Sequence, residues 1–208
     1  MIISNLSQKG GVGKSSLSRT IAVELTRAGW DVLLADIDPS QRTVKNWSDK
    51  RRDTVDIEPK VKTQDFKVTS KALVLAGDFD LLVIDGAPHA TQGTLDAAKV
   101  SDMVILPTGT SIDDLEPQIG LAAELVSNGV ERERIWFVIF KTSSDAETRG
   151  AIDAIREYNF NVFDEAIAHK TSYSQALDRG YCLTETRVKS LNEKAGLLIK
   201  AVVKKITE

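Results

Sequence analysis

The sequence predicts an α/β fold in which a doubly wound, mainly parallel β-sheet is flanked by helices. Short apolar runs alternate with amphipathic stretches along the 208 residues, which is the order of successive βα units. These runs are nearly continuous rather than alternating in polarity, as expected for strands covered on both faces. The first run leads into a glycine-rich turn and then a helical segment, the local order of a phosphate-binding βα unit. No internal repeat or Pro/Gly/Ser linker divides the chain, so we expect one domain over residues 1–208.

Five apolar segments are the predicted strands: MIISNLS, DVLLADI, DLLVID, DMVILP and IWFVIF. A helix is predicted after the first of them, because Leu17, Ile21 and Leu25 fall on one helical face and Gly29 supplies a stop. Further helices are expected at TVKNWSDKRR and between Asp145 and Tyr158. From there to about Thr186 the pattern is less regular.

The last segment, from Val188 to Ile206, is predicted to be an amphipathic helix. One face of this helix carries an apolar stripe formed by Leu191, Ala195, Leu198, Val202 and Ile206. The stripe contains no Phe or Trp and occupies the place of a final packing helix. We therefore expect it to pack on the core rather than on a membrane surface.

The composition is that of an ordinary globular protein, with 42% hydrophobic and 27% charged residues. Cys182 is the single cysteine, which excludes an internal disulfide and favours a cytoplasmic location. We find no secretory signal, since the apolar start MII is followed at once by polar residues. The net charge of −3 is unevenly distributed: Arg179–Glu208 carries +4 and the remainder −7.

The segment KGGVGKSS, residues 9–16, is predicted to be a phosphate loop. Its glycines allow the backbone N–H groups to approach phosphate oxygens, and the helix that follows adds its N-terminal dipole. Lys14 is expected to reach the β- and γ-phosphates, Ser15 to coordinate Mg²⁺ and Ser16 to donate to the α-phosphate. The usual pattern has a glycine where Gln8 stands, and Lys9 adds a second lysine at the front of the loop. The nucleotide-contacting residues are expected to be Gly10, Gly11, Val12, Gly13, Lys14, Ser15 and Ser16.

Carboxylates follow two of the predicted strands. Asp85 ends LLVID, where a carboxylate can hold Mg²⁺ directly or through water. Asp36 and Asp38 end LLADID, and alternate residues of a strand point to the same side. We expect all three carboxylates at the phosphate end of the sheet.

Taken together, KGGVGKSS, DIDP, LLVIDGAP, ILPTGTSIDD and the late IAHKTSYSQALDRG resemble the ParA/MinD family of deviant-Walker P-loop ATPases. More narrowly, the chain is similar to the short ParA partition proteins that lack an N-terminal helix-turn-helix domain. The resemblance runs through essentially the whole chain and implies a P-loop ATPase domain with ATP and Mg²⁺ as cofactors. It also implies roles for three residues: Lys9 contacts the partner's nucleotide in an ATP-sandwiched dimer, Asp38 positions the attacking water, and Asp36 lies near the Mg²⁺ shell.

Some positions depart from the family pattern. Ser40 follows Pro39 where the family commonly reads D-P-Q, and Lys170 stands where arginine is usual. Phe140 and Lys141 replace the Asn and Arg that often follow the WFVIF strand. These departures affect the base end of the site rather than the phosphate end, and we include Lys141 among the nucleotide-binding candidates.

The resemblance further implies an ATP-dependent homodimer that binds DNA non-specifically and is associated with the nucleoid. Its partner would be a ParB-like centromere-binding or adaptor protein. The expected DNA contacts are what we call the C-terminal basic set: Arg187, Lys189, Lys194, Lys200, Lys204 and Lys205. Two alternatives stay open at this point, a MinD-like membrane-associated positioning ATPase and a carrier or biosynthetic ATPase of the same fold.

Overall fold

A computed structural model describes residues 1–38, 41–88 and 92–208 of the chain. Its strands form a parallel sheet in the order β3-β2-β4-β1-β5-β6-β7, with β8 pairing with β6 beside that path. The strands are β1 (Ile2–Ser7), β2 (Val32–Asp36), β3 (Lys62–Asp65), β4 (Leu81–Pro88), β5 (Met103–Thr108), β6 (Ile135–Thr142), β7 (Asn161–Val162) and β8 (Ile167–Ala168). The chain thus forms the predicted parallel sheet, with β1 and its phosphate loop near the centre.

Helices cover both faces of the sheet. They are α1 (Lys14–Arg27), α2 (Thr43–Asp53), α3 (Thr69–Leu73), α4 (Gln92–Val100), α5 (Ile112–Ser127), α6 (Asp145–Glu157), α7 (Thr171–Leu177) and α8 (Lys189–Thr207). The core on one face includes side chains of α1, α2, α7 and α8, whereas α3 to α6 contribute to the cores on the other. This division of the helices between the two faces confirms the predicted doubly wound fold.

The sequence signals for α1 and α8 correspond to buried faces. The predicted face of α1, formed by Leu17, Ile21 and Leu25, is buried, and Gly29 follows the helix with φ 93°. On α8, the middle of the stripe is fully buried and its two ends pack against the same core. The prediction that the stripe packs on the core is therefore confirmed.

Several short elements were not predicted from the sequence. β3 has the polar sequence KTQD at the edge of the sheet, and β7 and β8 contain two residues each. Such segments have no apolar run or periodicity long enough to indicate a strand. The region expected to be irregular before Thr186 also contains α7, a seven-residue helix. This helix forms one wall of a pocket at the carboxyl ends of the strands.

Candidate functional site

A pocket of about 510 Å³ lies at the carboxyl ends of the central strands, beside the start of α1. Ligands of open parallel sheets bind at this edge, because loops from several strands converge there. The lining residues from the predicted site are Gly10, Gly11, Gly13, Lys14, Ser15, Ser16, Asp36, Asp38, Asp85 and Lys141. Folding therefore brings four separate predicted segments to one cavity.

The phosphate loop has left-handed backbone at two positions, Gly11 with φ 78° and Gly13 with φ 104°. Gly13 also faces the Phe140 ring, so an added Cβ would lie 2.7 Å from Phe140 Cε1. The Gly13 carbonyl accepts the first α1 hydrogen bond, from the Leu17 N–H at 2.9 Å. Glycine is thus required at position 13 both by backbone conformation and by packing. Val12, by contrast, is buried and does not line the pocket.

Lys14 and Asp85 meet at the bottom of the pocket. The Lys14 side chain is only 11% exposed, and its Nζ lies 3.7 Å from Asp85 Oδ1. The same carboxylate oxygen accepts a hydrogen bond from Ser18 Oγ at 3.1 Å. Asp85 is therefore buried but partnered by a cation and a hydroxyl group. Ser18, one helical turn beyond Lys14, is a contact that the motif did not identify.

Asp36 is a second buried carboxylate beside Asp85, since the two residues are register partners on β2 and β4. Its Oδ1 accepts the Asp38 N–H at 2.8 Å, and its Oδ2 accepts the Val44 N–H at 3.2 Å. Burial raises the pKa of Asp36 to about 6, the Asp85 charge acts in the same direction, and the two N–H groups oppose it. The Asp36 carboxylate thus binds two backbone N–H groups, that of Asp38 just after β2 and that of Val44 in the first turn of α2.

The charge arrangement fits a magnesium nucleotide. Two buried carboxylates that face one pocket favour a cation between them, which would stabilise their ionised forms. Mg²⁺ is commonly bound by one or two carboxylates together with substrate phosphates. Among the described residues, no group of three or more His, Cys, Asp or Glu side chains could hold a metal ion. The donors therefore suit a metal that arrives with phosphate ligands rather than one enclosed by protein.

Lys9 does not line this pocket. Its side chain is 41% exposed, and its Nζ pairs with Asp114 Oδ1 on α5 at 3.2 Å. The front of the loop is also attached to α5, because the Gln8 N–H donates to Gln118 Oε1 at 3.2 Å. The two lysines of the loop thus occupy different environments.

A model of the CobQ/CobB/MinD/ParA nucleotide-binding domain matches residues 3–183. The chain belongs to this family. It is 24% identical over 223 residues to the sporulation initiation inhibitor protein Soj of Bacillus subtilis (strain 168), covering 86% of this chain and 88% of Soj. Protein ParA of Rhizobium radiobacter is 23% identical over 215 residues, covering 97% of this chain and 96% of that protein.

Solved structures share the fold. The septum site-determining protein MinD of Pyrococcus horikoshii, complexed with Mg-ADP, has a TM-score of 0.74 at 18% identity and covers 99% of this chain and 96% of that chain. The apo structure of Cyanothece McdA has a TM-score of 0.74 at 20% identity and covers 97% of this chain and 98% of that chain. The predicted ParA/MinD resemblance is confirmed, and the chain is an ATPase of this family that binds ATP.

The base end of this ParA/MinD-family site combines Phe140 and the predicted Lys141 with a wall that the short motifs did not identify. Phe140 and Lys141 line it from the end of β6, and Lys141 has a left-handed φ of 58°. The opposite wall is formed by α7 and the chain on either side of it. Its lining residues are Ile167, Ala168, His169, Lys170, Tyr173, Ser174, Leu177 and Leu183. Only the family segment IAHKTSYSQALDRG pointed to this wall. Pro39 and Ser40 lie outside the described residues.

The C-terminal basic set lies outside the pocket. All six side chains are exposed, five of them on α8. Three approach acids at helical spacing: Lys189 lies 3.9 Å from Glu193, and Lys204 and Lys205 lie 3.7 and 2.8 Å from Glu208. None of the described helices is long and apolar enough to cross a membrane.

Proposed function

We propose that this ATPase forms an ATP-sandwich dimer, binds DNA non-specifically and positions a plasmid, chromosome region or protein assembly. A ParB-like centromere-binding or adaptor protein would stimulate hydrolysis and release the DNA. The observation that carries the proposal is the separation of the two loop lysines. Lys14 lines the chain's own pocket, whereas Lys9 is partly exposed beside it.

Within one chain, each pocket residue would have a distinct task. The loop N–H groups and Lys14 would bind the phosphates, and Ser15, Asp36 and Asp85 would hold or surround the metal. Mg²⁺ would neutralise charge that develops on the phosphates during hydrolysis. Asp38 lines the same pocket and would orient water toward the terminal phosphate.

The position of Lys9 supports the dimer step. Its Nζ is held by Asp114 rather than by a pocket carboxylate, so it is not needed to balance the charge of its own site. A lysine placed beside a partner's triphosphate would supply positive charge where the γ-phosphate bond breaks. ATP would then promote dimerisation, because the nucleotide gives the partner's lysine something to bind.

The C-terminal basic set supports DNA binding through its exposure. Among the described residues, no carboxylate oxygen lies within 4 Å of the side-chain nitrogens of Arg187, Lys194 or Lys200. The acids near the other three form exposed surface pairs, which are weak and do not prevent phosphate contacts. Dimerisation would double this surface, so weak sites in each chain would act together. Nucleoid association would follow from this binding.

The main alternative is a MinD-like membrane switch. An amphipathic membrane anchor needs a free apolar face, but most of the apolar side chains of α8 pack on the core. Leu197 is the large apolar residue of α8 that remains exposed. One exposed leucine among lysines is a weak membrane anchor. This favours DNA over a lipid membrane as the partner of the C-terminal basic set.

Co-sedimentation tests the two surfaces directly. The protein is mixed with unrelated DNA fragments or with anionic lipid vesicles, each with ATP, ADP or no nucleotide. We expect ATP-dependent binding to every DNA sequence, with an affinity that falls steeply with salt. ATP-dependent vesicle binding without DNA binding would instead support the membrane alternative.

A pair of matched variants identifies the contact surface. Replacing Arg187, Lys194 and Lys200 with alanine should weaken DNA binding and lower the slope of log K against log salt by about 0.9 per lost phosphate contact. The control replaces three exposed cations on other helices, Lys71, Lys99 and Arg149. It removes the same total charge, so an equal loss in both triple variants would contradict the assignment of DNA contacts.

A further inference from the structure

Arg19, on the second turn of α1, is a buried arginine in the wall of the nucleotide pocket. The residue is only 7% exposed and lines the pocket together with Ser15 and Ser16. Its Nη2 donates to the Thr43 carbonyl at 2.7 Å, and its Cζ lies 5.6 Å from the centre of the Trp47 ring. Its Nε is buried and finds no acceptor among the described residues.

Arg19 also lacks a neutralising partner. None of the carboxylate oxygens of the described residues lies within 4 Å of its nitrogens. The carboxylates of Asp85, Asp36 and Asp178 act on it only at longer range, and burial lowers the pKa of the guanidinium in spite of them. Burying a charge is costly unless it is paired, so an arginine in this position calls for an explanation.

Arg51 shows how the same fold neutralises a buried arginine that serves structure. It is 1% exposed, and its Nη1 and Nη2 donate to the two carboxylate oxygens of Glu185 at 2.8 and 3.0 Å. Further bonds run to the carbonyls of Pro59 and Gly180. Arg51 therefore has a complete set of acceptors within the protein, whereas Arg19 has one.

Helix geometry directs Arg19 toward the phosphate end of the pocket. Ser15 and Ser16 precede it by four and three residues, which places all three on one side of α1. Long side chains in helices lean toward the N-terminus, and here that is the end carrying the phosphate loop. On this side of α1, a ligand in the pocket would supply the acceptor for the guanidinium of Arg19.

We propose that Arg19 binds the phosphate chain of the bound nucleotide, so that the ligand supplies the negative charge that the protein does not. This inference rests on the nucleotide binding of the proposed function, but not on dimerisation or DNA binding. It extends the phosphate site beyond the KGGVGKSS segment, to a residue that the loop motif does not include.

The test compares Arg19→Met, which keeps an extended side chain without charge, with Arg19→Lys, which keeps the charge. Affinities for Mg-ADP and Mg-ATP are measured by calorimetry in the absence of DNA. We expect Arg19→Met to bind both roughly ten- to hundredfold more weakly, as for the loss of one charged hydrogen bond. Arg19→Lys should recover part of this loss. Arg27→Met, on the same helix but outside the pocket, should bind as the wild type does.

Thermal unfolding without nucleotide separates binding from a structural role. Because Arg19→Met removes a buried, unpaired charge, we expect its melting temperature to equal or exceed that of the wild type. Wild-type affinity in Arg19→Met, or equally weak binding by the Met and Lys variants, would overturn the proposal. If the wild type binds nucleotide but not DNA, only the DNA part of the proposed function fails. If it binds neither ADP nor ATP, both fail.

Discussion

Replacing Asp114 with asparagine should strengthen ATP-dependent dimerisation. In the single chain, Lys9 Nζ lies 3.2 Å from Asp114 Oδ1, and a lysine held there cannot also reach a partner's nucleotide. Asparagine has nearly the same shape as aspartate and removes only the charge. The change therefore weakens the contact that holds Lys9 in its own chain and leaves the nucleotide pocket, which Asp114 does not line, unaltered.

The exposure of the pair sets the size of the effect. The side chains of Lys9 and Asp114 are 41% and 33% exposed, so the pair belongs to the surface class worth about 0.2–1 kcal/mol. A symmetric dimer breaks one pair in each chain, which gives about 0.4–2 kcal/mol per dimer. The dimerisation constant should then rise roughly 2- to 30-fold.

Sedimentation equilibrium with Mg-ATP measures that constant. The matched control is Asp113→Asn, which removes an exposed acid from the same first turn of α5 and should change nothing. In a Lys9→Ala background, Asp114→Asn should have no effect, because the lysine that it releases is gone. We expect Lys9→Ala itself to bind ATP but remain monomeric. A full dimer of Lys9→Ala, or equal constants for Asp113→Asn and Asp114→Asn, would refute the reasoning.

Three further predictions concern the pocket and the sheet beneath it. Asp38→Ala should bind ATP, remain dimeric and lose most hydrolysis, as measured by phosphate release; wild-type turnover would contradict its water-positioning role. Because burial raises the pKa of Asp36 from 3.8 to about 6, its contribution to stability is greatest below pH 4 and is lost as the pH rises to about 6. The free energy of unfolding of Asp36→Asn relative to wild type should therefore increase over that range and then stay constant, and a flat difference would show that the shift is absent. Asn5→Val should raise the free energy of unfolding, measured by urea denaturation, by about 1–2 kcal/mol. The reason is that both polar atoms of the buried Asn5 amide lack a partner among the described residues. A loss of stability would indicate that the amide is satisfied.

The fold was accessible from the sequence because its main strands are buried on both faces. All five apolar segments named from the sequence correspond to strands of the sheet, and the buried stripe of α8 was identified by its helical spacing. The short elements were not, because the register of β3, β7 and β8 depends on neighbouring strands rather than on their own composition. The position of α7 likewise depends on tertiary packing.

The candidate site likewise contains some residues that could be predicted from the sequence and others that could not. The loop and the strand-end acids are local in sequence, and parallel strands bring their carboxyl ends to one edge, so the meeting of Lys14, Asp36 and Asp85 could be predicted. The contact of Lys9 with Asp114 could not, since it joins residues 105 positions apart through a surface pair. No sequence pattern identified Arg19 as a pocket residue either. A helical arginine is normally solvated, and its burial results from the packing of α2 over α1.

Gln8, which breaks the usual loop pattern, is explained by the attachment of the loop to α5. Within the phosphate loop, positive φ occurs only at Gly11 and Gly13, so position 8 does not need glycine. Its N–H instead donates to Gln118 Oε1, and Gln118 Nε2 donates to the Leu6 carbonyl at 2.9 Å, which fixes β1 and the front of the loop to one buried side chain. Asp114, one turn earlier on α5, holds Lys9. The same helix therefore fixes the backbone that carries Lys9 and restrains its charge. Because the backbone contacts are independent of the ion pair, the charge can be released while the loop keeps its shape. The proposed exchange of Lys9 from its own chain to a partner's nucleotide requires this independence.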